Sequence, residues 1–116
     1  MDKSEKKVKR ALISKFFDLA NGRFKDHEIN VLADIVQNLK KYDGLSKTFT
    51  KYVTDWGSDG KYHRIVKDTY TFAIEMGKAV IKHHTEYIDD GKLSFSWDKK
   101  YTTAREILKY IGRIIN

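Results

Sequence analysis

The longest segment of the chain without an obvious break, residues 60–88, reads GKYHRIVKDTYTFAIEMGKAVIKHHTEYI. Drawn with 3.6 residues per turn, its apolar positions cover a wide arc of one helix face. They are Val66, Tyr70, Ala73, Ile74, Val80, Ile81 and Ile88. The opposite stripe mixes charges of both signs at intervals of three, four or seven, as a solvated helix face does. The segment therefore predicts one long helix at the centre of the fold.

Four further helices are predicted around this segment. Amphipathic spacing and capping residues place them at about residues 3–21, 26–41, 45–56 and 103–115. Proline is absent, and the glycines fall mostly between these segments, where they mark breaks. Leu93–Trp97 alternates apolar and polar residues like a strand. A lone strand would lack a partner, so we expect a loop that tucks Phe95 and Trp97 against the helices.

The predicted fold is therefore all-α: a single compact bundle of four to five helices with a long central helix. The chain contains no internal repeat, low-complexity tract or linker. We accordingly expect one helical domain over residues 1–116. A chain of this length has enough apolar residues, 41% of the total, to build one core.

Composition narrows the class of protein further. The chain has no cysteine, which excludes a disulfide framework and thiolate chemistry and favours a reducing, cytoplasmic location. We find no signal-peptide core and no window near the ~20 apolar residues that a membrane span requires. The formal net charge of +7 attracts polyanions such as nucleic acid, an acidic protein or an anionic membrane surface. A lysine-rich surface that only maintains solubility has the same charge.

Three groups of basic residues are candidates for contact with phosphates. They are Lys40 and Lys41 at the end of the second predicted helix, Lys47 and Lys51 in the third, and Arg105, Lys109 and Arg113 in the last. The last three recur every four residues, so they predict one positive line opposite the isoleucine face of that helix.

Residues 39–53 also have the layout of a helix-turn-helix, which places its second helix in the major groove of DNA. Gly44 occupies the position of the turn, and Lys47 and Lys51 would face the groove. However, Lys40 falls where the first helix needs a small residue, and Thr50 falls where the second sends an apolar side chain inward. An ordinary helix–loop–helix with a solvated lysine face is the favoured interpretation of this segment alone.

Signals for catalysis and metal binding are weak. Asp55–Gly60 matches part of a calcium loop, but Gly57 lacks a ligand at position three, and position twelve has no carboxylate. His83, Glu86 and Asp90 would lie along one side of the predicted central helix, but no second Glu-x-x-His segment accompanies them. Phosphate loops and nucleophile elbows are absent from the sequence. We therefore expect no enzyme, no metal site and no cofactor.

These observations favour a small non-catalytic protein whose basic surface contacts the phosphates of DNA or RNA, as an accessory or regulatory factor. The alternative is a small protein-binding factor, such as an inhibitor, an adaptor or an immunity-type protein. It would use an exposed helix or the Phe95–Trp97 segment as an apolar anchor. The exposure of Trp97 separates the two hypotheses: a buried Trp97 weakens the alternative, and an exposed one strengthens it.

Overall fold

The computed structural model describes residues 2–20 and 22–116, and these form a four-stranded sheet and four helices. The elements are α1 (Lys3–Ile13), α2 (Asp26–Gln37), α3 (Leu39–Tyr42), β1 (Ser46–Gly57), β2 (Gly60–Glu75), β3 (Lys78–Asp89), β4 (Lys92–Tyr101) and α4 (Ala104–Ile115). The strands pair in the order β1-β2-β3-β4, each antiparallel to its neighbour. The predicted all-α bundle is therefore wrong, because the protein combines a sheet with helices.

The predicted central helix is instead the hairpin of β2 and β3. Residues 60–88 are rich in β-branched and aromatic side chains, which fit the pleated surface of a sheet. Tyr70, Phe72 and Ile74 also repeat every two residues, and Tyr70 and Phe72 are buried. The same apolar residues can thus be fitted to a helical or an extended period, and pairing with neighbouring strands selects the extended one.

Tight turns at both ends of β3 confirm this assignment. Met76 and Gly77 have positive φ angles of 51° and 76°, and Asp90 and Gly91 have φ angles of 48° and 83°. Two successive residues in the left-handed region are typical of the type I′ turn, whose twist matches that of a hairpin. The Asp90–Gly91 pair is therefore a hairpin turn and not the end of a helix.

Two other predicted segments are strands as well. Residues 45–56, predicted as the third helix, lie almost entirely in β1, and the predicted loop at Leu93–Trp97 lies in β4. Leu93–Trp97 does not lack a partner, because β3 is itself a strand and pairs with β4. Because Ser46–Gly57 is a strand, the favoured helix–loop–helix at residues 39–53 is wrong, and so is its DNA-reading alternative.

The first, second and last predicted helices are present. α1 ends at Ile13, well before its predicted end at Asn21, a residue that lies outside the described part of the chain. α4 begins with the predicted capping box. The Thr103 hydroxyl accepts a hydrogen bond from the Glu106 amide at 3.1 Å, and Glu106 Oε1 accepts one from the Thr103 amide at 3.3 Å. Local caps and amphipathic spacing predicted these three helices because neither depends on distant residues.

Each strand presents alternate residues to the two faces of the sheet. α4 packs on one of them, named here the helix-side face, through its buried residues Ala104, Ile107, Ile111 and Ile114. They join one core with Tyr70, Phe72, Ile81 and Tyr101 of the sheet and with buried residues of α1 and α2. The opposite side is named the outer face. The core lies near the β2–β3 turn, at one end of the strands.

The sheet projects well beyond its helices. The molecule measures 63 × 24 × 23 Å with a radius of gyration of 18.1 Å, against about 13 Å for a compact chain of this length. The projecting part, residues 52–67 and 86–96, is named the distal arm. Among residues 2–20 and 22–116, no helix has the length and apolarity that crossing a membrane requires.

We expect Phe72→Ala to lower the free energy of unfolding by about 3–5 kcal/mol, because the side chain is fully buried and its removal leaves a cavity. Phe49→Ala is a matched control: Phe49 is 41% exposed on the same face, so its loss should cost about 1 kcal/mol or less. Urea denaturation followed by circular dichroism measures both values. Equal losses would contradict the position of the core.

Candidate nucleic-acid interface

A cleft opens where α4 stops covering the helix-side face. Tyr110 and Arg113 lie on the flank of α4 that faces the uncovered sheet, and both contact the side chain of Tyr70. The side chains that surround this opening come from all four strands and from α4. They are Lys47, Phe49, Lys51, Asp68, His83, Trp97, Lys99, Lys109, Tyr110 and Arg113, and we name them the basic aromatic cleft.

The strand register places the floor of the cleft in two rows that run across the sheet. Directly paired residues point to the same face. One row is Phe49–Asp68–Thr85–Trp97, and the next is Lys47–Tyr70–His83–Lys99. The first row has an aromatic residue at each edge strand, and the second has a lysine at each edge strand.

Aromatic rings pack closely between these rows and α4. Tyr70 stacks on His83 at 4.1 Å between ring centroids, and Tyr110 stacks on Tyr101 at 3.9 Å. Trp97 meets His83 edge to face at 4.9 Å, and Phe49 meets Tyr70 in the same way at 6.1 Å. Phe49 and Trp97 are nevertheless 41% and 37% exposed, so both retain surface for a ligand.

A hydrogen-bonded group lies at the base of the cleft. Asp68 Oδ1 accepts hydrogen bonds from the Thr85 hydroxyl at 2.6 Å and from His83 Nε2 at 2.7 Å. The other ring nitrogen of His83, Nδ1, is 3.0 Å from the Tyr101 hydroxyl. The buried His83 ring therefore has a partner at each nitrogen, which fixes its orientation. The stacked rings above it rest on a rigid base.

Titration behaviour follows from these contacts. Partial burial raises the pKa of Asp68, but hydrogen bonds from Thr85 and His83 and the nearby charge of Arg113 outweigh it, so the net pKa lies below its ordinary value. Burial, assisted by a hydrogen bond with Tyr110, raises the pKa of the Tyr101 hydroxyl. At neutral pH the cleft therefore contains an ionised Asp68 and a neutral Tyr101.

Cations lie beside the tyrosine rings at the flank of α4. Arg113 donates a hydrogen bond to the Tyr70 hydroxyl at 2.6 Å and lies 5.5 Å from the Tyr110 ring centroid. Lys109 lies 5.3 Å from the same centroid, and Lys99 lies 5.4 Å from the Tyr101 centroid. Within residues 2–20 and 22–116, none of these three cations has a carboxylate within 4.0 Å. Their charges thus remain available to an anion.

The opening includes a pocket of about 310 Å³ beside β1. It is lined by Phe49, Thr50, Lys51, Asp68 and Arg113. An exposed ring, two cations and one carboxylate therefore meet in a space that accommodates a planar group of nucleobase size.

The predicted contact residues are distributed unevenly. Lys47, Lys51, Lys109 and Arg113 lie in the cleft, and the Lys47 amine also contacts the backbone oxygen of Asn116. Lys40 and Lys41 are exposed on α3, outside the cleft.

Arg105 is directed away from the cleft toward α2. It pairs with Glu28, donates to the Arg23 carbonyl at 2.6 Å and lies 4.6 Å from the Phe24 ring centroid. Arg105 therefore holds α4 against the segment that leads into α2, and the predicted line through Arg105, Lys109 and Arg113 does not form a single contact surface.

The sequence interpretation missed Phe49, Asp68, His83, Lys99 and Tyr110 as members of one site. The alternation of residues along a strand would have indicated part of this site, because Lys47, Phe49 and Lys51 share one face only in an extended chain. Their proximity to Tyr110 has no local signal, since α4 follows them by more than fifty residues.

Two motifs were considered as metal sites in the sequence, Asp55–Gly60 and the set of His83, Glu86 and Asp90. Neither is arranged as a group of metal ligands in the described part of the fold. Asp55–Gly60 spans the end of β1 and the tight turn into β2. His83 points to the helix-side face, whereas Glu86 points to the outer face, so the predicted alignment of these two residues is wrong. In the described part of the chain, no three histidine, aspartate or glutamate side chains are grouped as metal ligands.

Replacing Asp68 by asparagine should destabilise the protein by roughly 1–3 kcal/mol at neutral pH, through weaker bonds to His83 and Thr85. Because the pKa of Asp68 is lowered by folding, its stabilising effect is present above the unfolded pKa of about 3.9 and is lost as the pH falls through the folded value. The difference in melting temperature between wild type and variant should therefore shrink between about pH 5 and pH 2.5.

Thermal unfolding followed by circular dichroism across this pH range measures the difference. Asp59→Asn is the control, because Asp59 is exposed in the turn between β1 and β2, where its side chain makes no hydrogen bond or ion pair with the described residues. It should change the melting temperature little at any pH. A constant difference for Asp68→Asn would show that Asp68 does not stabilise the fold through its ionised form.

Comparison with known proteins does not assign the chain to a family. No family model, no curated protein and no solved structure matches it. Its function must therefore be inferred from the chemistry of the basic aromatic cleft.

Proposed function

We propose that the protein binds single-stranded nucleic acid in the basic aromatic cleft. The observation that carries this proposal is the presence of two exposed rings, Phe49 and Trp97, on the same surface as several cations. Lys47 lies 5.6 Å from the Phe49 ring centroid, and Lys51 and Arg113 line the pocket beside that ring. Bases stack on exposed aromatic side chains, and lysine and arginine contact the phosphates between them. No catalytic step is part of the proposal.

A single strand fits this surface better than a duplex does. The bases of a duplex are stacked on one another, so flat aromatic rings on a sheet have no access to them. Base reading in the major groove requires a helix or a β-ribbon that enters it. The helix suggested for that role at residues 45–56 is a strand. Exposed rings on an antiparallel sheet instead present their faces to unpaired bases.

The distribution of charge supports the same surface. The distal arm contains four basic and five acidic residues, whereas the rest of the chain contains nineteen and eleven. The arm is therefore close to neutral, and the part that includes the cleft and the helices carries the entire positive excess. This asymmetry directs a polyanion toward the cleft.

Asp68 gives the cleft an acceptor among its many donors. Both of its hydrogen bonds go to Oδ1, and the residue lines the pocket that Phe49 and Arg113 also line. A base stacked on Phe49 could donate an amino hydrogen to this carboxylate. Asp68 is thus suited to hold a base and does not contact phosphates.

Binding of a partner protein is the second candidate function, and the exposure of Trp97 favours it. Phe95 and Trp97 are 48% and 37% exposed on β4, at the edge of the sheet. Adjacent exposed aromatics of this kind can anchor a partner's side chains. The nucleic-acid proposal takes precedence because Trp97 shares its surface with the cations of the cleft.

We expect oligonucleotide binding to weaken steeply with salt. Contacts with about four or five phosphates of a single strand predict a slope of about −3 to −3.5 in a plot of log affinity against log salt concentration. The double variant Lys51→Gln with Arg113→Gln should flatten the slope by about 1–1.5, because two phosphate contacts are removed. Fluorescence anisotropy with a labelled oligonucleotide measures it.

The double variant Lys40→Gln with Lys41→Gln removes the same charge from α3 and should leave the slope unchanged. An equal flattening in both double variants would place the contact outside the cleft. If no single strand binds at ~50 mM salt, the nucleic-acid proposal fails. In that case, nuclease-resistant capture of a host protein that is lost in Trp97→Asp would support the second candidate.

Tryptophan fluorescence can locate the stacking surface directly, since the chain has two tryptophans. In Trp56→Phe, the remaining Trp97 should be quenched by a bound oligonucleotide, because a stacked base quenches the ring. In Trp97→Phe, the remaining Trp56 on the outer face should not respond. Quenching of Trp56 alone would move the binding surface to the opposite side of the sheet.

A further inference from the structure

The outer face of the distal arm carries a continuous apolar row. Tyr52 pairs with Ile65, Ile65 with Ile88 and Ile88 with Leu93, so the four side chains cross all four strands in one line. Tyr52 is 77% exposed and Leu93 59%. Trp56 lies on the same face, also largely exposed. The next rows toward the helices contain threonine, serine and charged residues, so the apolar surface is confined to the arm.

The helices do not cover this row. α4 contacts the sheet from the helix-side face, and α1 and α2 pack at the end of the strands that is remote from the arm. Ile65 and Ile88 at the centre of the row are half-buried, whereas Tyr52 and Leu93 at its edges are exposed. Apolar side chains grouped on an exposed surface mark a contact site for another molecule, so the row is a candidate contact surface.

The chain exposes more surface than a compact monomer of the same mass. The chain exposes 7737 Å², whereas a compact monomer of this mass exposes about 6,600 Å². The excess of about 1,100 Å² exceeds the ~800 Å² that each partner buries in an interface of standard size. The elongated shape of the chain accounts for this excess, and the arm is the elongated part.

The balanced charge of the distal arm allows a second copy of the chain to pack on its outer face. Most of the molecule repels another copy of itself, but the arm carries four basic and five acidic residues and is close to neutral. The contact surface between two arms therefore carries almost no net charge. Lys67 and Glu86 lie side by side on the outer face, in the row next to the apolar one.

We propose that the protein forms a symmetric dimer in which the outer faces of two distal arms pack against each other. A two-fold axis parallel to the strands, between β2 and β3, places Tyr52 of one copy against Leu93 of the other and Ile65 against Ile88. The same axis brings Lys67 of each copy to Glu86 of the other.

The two clefts of this dimer face outward, because each lies on the helix-side face of its own sheet. Dimerisation and nucleic-acid binding therefore use opposite sides of the sheet. The dimer does not depend on the function proposed for the cleft, and it is tested without nucleic acid.

Sedimentation velocity of the nuclease-treated full-length chain, at about 5–200 µM, tests the dimer. The expected species has roughly twice the chain mass of 13.6 kDa. Ile65→Lys should raise the dissociation constant by about 30-fold or more, because it buries an unpaired charge at the centre of the interface. Thr69→Lys, on the same face but outside the apolar row, is the matched control and should leave the dimer intact.

A charge exchange tests the orientation. Lys67→Glu should weaken the dimer, and the double variant Lys67→Glu with Glu86→Lys should restore it, since both the pair within each chain and the pair between copies are re-formed. Circular dichroism verifies that each variant is folded. A wild-type monomer at 200 µM, or a dimer that Ile65→Lys does not weaken, would overturn the proposal.

Discussion

The architecture depends on a mismatch of length between one helix and the sheet beneath it. α4 has 12 residues and β2 has 16, which corresponds to about 18 Å of helix against about 53 Å of strand. The isoleucines of α4 can therefore bury only one end of the sheet. The other end must be stable without a helix, and its exposed side chains are available for other contacts.

The cleft lies at the boundary between the part of the sheet that α4 covers and the part that it leaves uncovered. Tyr70 belongs to the core and is 2% exposed, yet its hydroxyl accepts a hydrogen bond from the exposed Arg113. Asp68 lies two residues further along β2, where α4 no longer covers the sheet. Its hydrogen-bond partners are therefore the sheet residues His83 and Thr85. Aromatic packing thus continues out of the core into a surface that solvent reaches.

The two sides of the uncovered sheet differ in chemistry. The helix-side face near α4 combines rings with cations, whereas the outer face of the distal arm combines an apolar row with balanced charge. In the arm, Arg64 pairs with Asp89 at 2.7 Å and contacts the rings of Tyr62, Tyr87 and Phe95, so its charge is already compensated. Lys99, Lys109 and Arg113 of the cleft lie beside rings, and in the described part of the chain none of them has a carboxylate within 4.0 Å. Location relative to α4, more than residue type, separates the two surfaces.

The sequence by itself determined the local features of this protein: the helices near both ends, the capping box of Thr103 and Glu106, and the basic charge. Each depends on residues that are neighbours along the chain. The sequence also contained the alternation of Tyr70, Phe72 and Ile74, which is typical of a strand. A helical period fitted the same segment, so the local pattern could not decide between helix and strand. Only hydrogen bonding between β1, β2, β3 and β4 decides that choice, because the extended state is stabilised by partners distant in sequence. The tertiary structure likewise decided which cations act together: it brings Lys51 beside Arg113 and turns Arg105 toward Glu28, since the direction of each side chain depends on where α4 crosses the sheet.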